Sequence, residues 1–136
     1  PDMYIANKLY GPSYVSLETA LSNYSIIPEV CMAVTSITTK TTRRFRNKHG
    51  LFVYSAIQAN AFRGYFIEKQ RGFNILMAEP EKAVVDYLYF KKYRNNKFSF
   101  EEERLDMNII ANLNKRKLNK YAKLFNLDLR RLYAHL

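Results

Sequence analysis

The chain has 136 residues, one domain's worth, and at 48% hydrophobic and 15% aromatic it can bury a core, which excludes a disordered tail. Lysine and arginine number 22 against 12 acids, a formal net charge of +10, and this favours an anionic partner: nucleic acid, an acidic protein or a membrane surface. No apolar run approaches the ~18 residues of a spanning helix, no signal peptide is visible, and the single cysteine, Cys31, allows no disulfide within the chain, so a reducing, cytoplasmic setting is expected. The first residues are Pro1-Asp2 rather than a methionine, as in a fragment whose preceding part has been removed.

Met3 to Tyr10 reads as a short helix with Ile5, Ala6, Leu9 and Tyr10 at helical spacing, ended by Gly11-Pro12. Ser16 is the expected N-cap of a second helix, with Glu18 in its first turn and Leu17, Ala20, Leu21 and Tyr24 on its core face. Val30 to Ile37, apolar at nearly every position, is the expected buried strand, with Cys31 as a small hydrophobe inside it. Thr35 to Ile57 then reads as a basic β-hairpin. It holds a threonine-rich run, four cations in six residues (Arg43, Arg44, Arg46 and Lys48), a turn at Asn47-Lys48-His49-Gly50 and a return strand at Leu51 to Tyr54. Phe45 between Arg44 and Arg46 predicts the ring inward and both cations outward. Residues 41–72 carry seven basic residues and one acid, Glu68, so the charge is concentrated there and again after residue 97.

Arg63 to Glu68 and Phe73 to Met77 are two further strands about a Lys69-Gln70-Arg71-Gly72 turn. Pro80 starts a helix through Phe90 that is apolar almost all round and therefore central, with Asp86 as its odd polar residue, expected to make a polar contact or to be partly exposed. Lys91 to Lys97 is a basic connector. Ser99 and Glu102 form a capping box for a helix bearing Leu105, Ile109, Ile110 and Leu113. Asn114 caps a helix whose Leu118, Tyr121, Ala122 and Phe125 face inward, while Lys115, Arg116, Lys117, Lys120 and Lys123 lie mainly away from them. Asp128 caps the last short helix. The order is α+β: a small mixed or antiparallel sheet with a basic hairpin, packed by a buried central helix and a helical C-terminal tail. The expected organisation is one structural domain, with a core at 1–96 and a helical extension at 97–136.

Enzyme chemistry finds little support. His49 and His135 are not at metal-ligand spacing, and Gly11, Gly50, Gly64 and Gly72 are too scattered for a phosphate loop. Glu101-Glu102-Glu103 reads as a helix start, and Glu79 and Glu81 beside Lys82, the pair a metal nuclease would want, sit where a helix begins. No catalytic residue, metal or cofactor is expected. The candidate DNA-backbone contacts are Lys40, Arg43, Arg44, Arg46 and Lys48 with the neighbouring threonine hydroxyls, and Lys115, Arg116, Lys117 and Lys120 on the later helix. Both groups can donate to phosphates.

Three blocks carry a resemblance: SYVSLETALSNYSIIPE at 13–29, VTSITTKTTRRFRNKHGLFVYSAI at 34–57 and AEPEKAVVDYLYF at 78–90. Their order and spacing resemble the C-terminal domain of AbiEi-type antitoxins, the transcriptional-regulator halves of type IV toxin–antitoxin and abortive-infection systems. The match spans roughly residues 4–93. Glu79 departs from the small capping residue usual before that proline. The resemblance implies a winged helix-turn-helix ahead of this domain, repression of the protein's own operon, and antagonism of a nucleotidyltransferase-like toxin without a tight complex. The expected function is thus a non-enzymatic antitoxin domain that assists DNA binding, without a membrane partner and with a homodimer left open. The alternative is an interaction or dimerisation module that does not touch DNA.

Overall fold

Six strands pair edge to edge in one mixed sheet: β1 (Ser13–Val15), β2 (Ala33–Thr38), β3 (Arg43–Asn47), β4 (Gly50–Ala56), β5 (Tyr65–Gln70) and β6 (Phe73–Ala78). Their spatial order is β3-β4-β2-β1-β6-β5. The computed structural model describes residues 2–95 and 98–136. Within these, the helices are α1 (Asp2–Leu9), α2 (Leu17–Asn23), α3 (Pro80–Phe90), α4 (Phe100–Glu103), α5 (Met107–Ala111), α6 (Lys115–Leu124) and α7 (Arg130–Ala134). The architecture is α+β.

The sheet combines two antiparallel hairpins, β3–β4 and β5–β6, with a centre in which β2 runs parallel to β4 and β1 parallel to β6. Because β4 lies between β2 and β3, the Thr39–Thr42 link carries the chain past the end of β4 and leaves β3 at the edge. β1 has only three residues, all buried, and pairs antiparallel with β2. Periodicity over so short a stretch is uninformative, and this strand is absent from the sequence reading.

Side chains alternate across the sheet. Tyr54 donates to the Ala6 carbonyl of α1 (2.6 Å), so α1 covers the face that carries Tyr54 and Phe52. Tyr14 points to the other face and donates to Asp86 of α3 (2.9 Å). α3 begins at Pro80, where no N–H is wasted, and Ala83, Val84, Val85 and Leu88 are all buried. Each large apolar side chain removed from water there contributes roughly 2 kcal/mol. α6 packs on α3 with Leu118, Tyr121 and Ala122, and Asn114 caps it by accepting from Lys117 N (3.1 Å).

Several expectations change. The strand expected from Val30 begins at Ala33, and Val30 and Met32 are 88% and 93% exposed. Cys31 beside them is only partly covered. Pro28 sits just upstream, and the segment between it and β2 forms no ladder, so apolar character alone does not bury it. Ser16 occupies the N-cap position of α2 but caps nothing; its hydroxyl is drawn to Asp86 instead. The helix expected after Ser99 is two helices. Ser99 Oγ does accept from Glu102 N (3.3 Å), but Arg104 takes a left-handed φ of 56°, and Asp106 caps α5 by accepting from Asn108 and Ile109 N–H groups. A second cap six residues into the run competes with helix continuation and prevails. In the 91–97 connector Tyr93 is buried, and its hydroxyl accepts from Leu132 N (3.1 Å). The expected boundary between Asn96 and Lys97, Lys97 itself and Pro1 lie outside the described residues.

Candidate nucleic-acid interface

β3 pairs only with β4, in the register Arg43 with Tyr54, Arg44 with Val53, Phe45 with Phe52 and Arg46 with Leu51. Pleating sends Phe45 towards the α1 face and Arg44 and Arg46 to the opposite one, as the alternation predicts. Arg43 follows Phe45. Its guanidinium lies 4.7 Å from the Phe45 ring centre and 5.6 Å from that of Tyr10, while the Lys40 ammonium lies 5.2 Å from the Tyr10 ring. The hairpin cations are therefore divided. Lys40 and Arg43 bracket Tyr10 on one face, Arg44 and Arg46 project from the other, and Lys48 stands at the exposed turn. None of the five is ion-paired with an acid among the described residues. A guanidinium held over rings has already lost rotamer freedom, yet its N–H groups at the rim remain available to an anion's oxygens.

Most of the threonine run is tied into the fold. Thr35 Oγ1 donates to Ser16 O (2.6 Å) and accepts from Thr19 N (3.0 Å). Thr38 Oγ1 donates to Pro12 O (2.8 Å), and the Thr41 hydroxyl shares a hydrogen bond with the Tyr10 hydroxyl (3.0 Å). Thr42 Oγ1 accepts from Ala56 N (3.1 Å). These hydroxyls tie β2 and the 39–42 link to their neighbours, and only Thr39 of the run's later members shows no such tie while being exposed.

On α6, Arg116, Lys120 and Lys123 are exposed and share one face at helical spacing. Lys115 reaches over the Tyr133 ring (5.8 Å). Lys117 is committed elsewhere: its ammonium meets Glu79 Oε2 at 2.8 Å, and the Tyr121 hydroxyl donates to the other oxygen of the same carboxylate. Burial would raise the Glu79 carboxyl, but the Lys117 and Tyr121 bonds prevail and hold it below its ordinary value. Lys117 thus leaves the set of free cations. α6 packs chiefly on α3 and on the 59–61 turn, whereas β3 packs on β4, so the two basic segments are anchored to different parts of the fold.

The acids that might have served a nuclease are dispersed. Glu79 serves α6, Glu81 Oε2 accepts from Asn114 N (3.0 Å), and Lys82 turns inward. Lys82 Nζ donates to Asp86 Oδ1 (2.6 Å) and to the Tyr14 hydroxyl (2.8 Å), and Ser16 Oγ donates to Asp86 Oδ2 (2.8 Å). Lys82 and Asp86 are fully buried; burial pushes the Asp86 carboxyl up and the Lys82 ammonium down, against the pull of their own pairing. With no opening to solvent, the cluster serves as a pin between β1 and α3. Gly64 closes over it at φ +78°, where a Cβ would stand 2.8 Å from Lys82 Cγ. A groove of about 450 Å³ between α2, the 27–35 segment and α4 is rimmed by Glu18, Glu29, Glu102 and Glu103, a setting that repels anions. Among the described residues, no group of three His, Cys, Asp or Glu side chains converges as metal ligands, and no helix is long and apolar enough to cross a membrane.

The structure therefore brings Lys40 and Arg43 together around Tyr10 and sets Arg44 and Arg46 side by side. It keeps Lys115, Arg116 and Lys120 on a separate element and ties Lys117 to Glu79. Tyr10, placed by its helical spacing among core residues, is the member of the surface that periodicity does not distinguish. Comparison with protein-family models, with curated proteins and with solved structures gave no match.

Proposed function

We propose that this chain is a non-enzymatic, DNA-holding domain of an AbiEi-like antitoxin or transcriptional regulator, acting in the cytoplasm. It grips the phosphate backbone while another domain reads sequence, and so assists repression of its own operon and the countering of a nucleotidyltransferase-like toxin without a tight complex with it. The observation that carries this reading is the edge strand β3, where Arg43, Arg44 and Arg46 stand exposed and unpaired with acids next to Lys40 and Lys48. Phosphate contact supplies most sequence-independent affinity for DNA, and each contact adds about −0.9 to the slope of log affinity against log salt. The exposed face of α6 supplies a second set of backbone contacts.

The test is titration of the chain onto a labelled duplex over a range of salt concentrations. The reading expects binding that weakens steeply with salt, and an Arg44→Ala/Arg46→Ala variant whose slope is shallower by about 2. Equal affinity and equal slope for variant and parent would sink the assignment and favour the alternative, an interaction module whose charge only keeps it soluble.

A further inference from the structure

The sheet has a second edge, and its chemistry is unlike the first. β5 pairs with β6 in the register Tyr65 with Ala78, Ile67 with Leu76 and Gln70 with Phe73, and nothing pairs on its outer side. Its sequence, Tyr65-Phe66-Ile67-Glu68-Lys69-Gln70, carries one charge of each sign. Tyr65, Phe66 and Ile67 are all among the exposed large hydrophobics, and Ile67 is 64% exposed. Natural sheets blunt such edges with charges, proline or bulges. β3 follows that rule with three arginines, whereas β5 has only Glu68 and Lys69, of opposite sign and in its second half, and leaves Tyr65 to Ile67 unguarded.

The ladder fixes which backbone groups are free. Glu79 N donates to Gly64 O (2.8 Å), so Gly64 and Glu79 form a hydrogen-bonded pair one step beyond Tyr65–Ala78. Hydrogen-bonded pairs recur at every second position, which assigns Phe66–Met77, Glu68–Ile75 and Gln70–Phe73 to that class. The closing turn agrees: Arg71 and Gly72 both have positive φ (51° and 83°), as in the two-residue hairpin turn that follows a hydrogen-bonded pair. The N–H and C=O groups of Tyr65, Ile67 and Lys69 therefore point outward, unmatched by any strand among the described residues.

We propose that two copies of this chain associate about a two-fold axis by antiparallel pairing of β5 with β5, centred on Ile67. In that register Ile67 meets its counterpart, Tyr65 lies against Lys69 of the second copy, and Phe66 lies across from Glu68 of the second copy. Three outward residues on each strand supply roughly six backbone hydrogen bonds. Tyr65, Ile67 and Lys69 share one face by the pleat, so an aliphatic contact is flanked by two pairings of a ring with an ammonium. The strand is neutral and complementary to itself when reversed, whereas the same operation on β3 would set arginine against arginine. A second copy fits better than a basic or acidic partner, because the edge offers neither sign of charge in excess. The strip is small for a specific interface, so a dissociation constant of about 10–100 micromolar is expected. Each copy carries +10, so added salt screens their repulsion and tightens the pair. Salt has the opposite effect on DNA binding, and this inference does not depend on what β3 binds.

Sedimentation of the whole chain over concentration, at low and moderate salt, tests the proposal. A monomer–dimer equilibrium that strengthens with salt, and that Ile67→Lys weakens at least about tenfold, supports it. A second variant adds no charge: Ile67→Cys in a Cys31→Ser background should cross-link to a dimer under mild oxidant. Facing Cα atoms of a hydrogen-bonded pair lie about 5.5 Å apart, within disulfide reach, and Phe66→Cys in the same background should not cross-link. A chain that stays monomeric to roughly millimolar concentration overturns the proposal. So does a dimer that Ile67→Lys leaves intact and Ile67→Cys fails to cross-link.

Discussion

β3 and β5 terminate the same sheet, each held by a single hairpin partner and each offering an unpaired row of backbone groups. At β3 every second residue bears an arginine facing away from the Phe45 side, and Arg43 lies on the rings of Phe45 and Tyr10. At β5 an aromatic-aliphatic triplet is followed by an acid and a base. The difference teaches how an edge selects its partner. Concentrated like charge forbids another copy of the same strand and admits an anion; balanced charge with exposed apolar side chains forbids neither strand nor copy. Both edges hang from one frame, in which Tyr14 of β1 is bonded to the buried Lys82–Asp86 pair of α3.

The largest perturbation should remove both edges together. Asp86→Ala leaves the Lys82 ammonium buried without its carboxylate and strips Tyr14 and Ser16 of an acceptor. A loss of about 3–5 kcal/mol is expected in denaturant unfolding, with DNA binding and self-association declining in parallel. A variant that loses one and keeps the other would show that the edges are not supported in common.

A smaller change separates the two faces of β3. Arg43→Ala forfeits ring contacts and should cost about 0.5–1 kcal/mol of stability, whereas Arg44→Ala, which makes none, should stay within about 0.5 kcal/mol of the parent. Equal costs in thermal unfolding would mean that the bracket around Tyr10 contributes nothing to the fold.

The smallest effect concerns α6, whose Lys117 is held by Glu79 and so lies outside the contrast. The Glu79 carboxyl is opposed by burial but held below its ordinary value by Lys117 and Tyr121. A depressed carboxyl stabilises the fold above the ordinary carboxylate range and loses that contribution as pH falls below about 4. Glu79→Gln should lower stability at neutral pH by about 0.5 kcal/mol, leave the acid end nearly unchanged and so flatten the acid limb of stability against pH; an unaltered acid limb would dissociate Glu79 from it.

Local chemistry was legible wherever one residue type has one use. Pro80 marked the start of α3, Asn114 capped α6, and the alternation about Phe45 placed its ring and its flanking arginines on opposite faces. What the sequence hid depends on pairs far apart in the chain. Asp86 meets Ser16 across 70 positions, so neither residue announces the other. The threonines looked like donors for phosphate because their carbonyl and hydroxyl partners, at Ser16, Pro12 and Tyr10, are brought near only by the fold. Val30 and Met32 failed the opposite way: composition suggested a core strand, but no neighbouring strand pairs with them. The site is half legible for the same reason. Charge density located β3, and only the pleat revealed that its cations part company.

That parting gives the hairpin the geometry of a blade rather than a plate. A flat basic surface meets an anionic body along one side. An edge strand with Arg43 on one face of the sheet and Arg44 and Arg46 on the other can meet both walls of a cleft that admits the rim of the sheet. The width of the cleft, more than its sequence, would then decide what the hairpin enters.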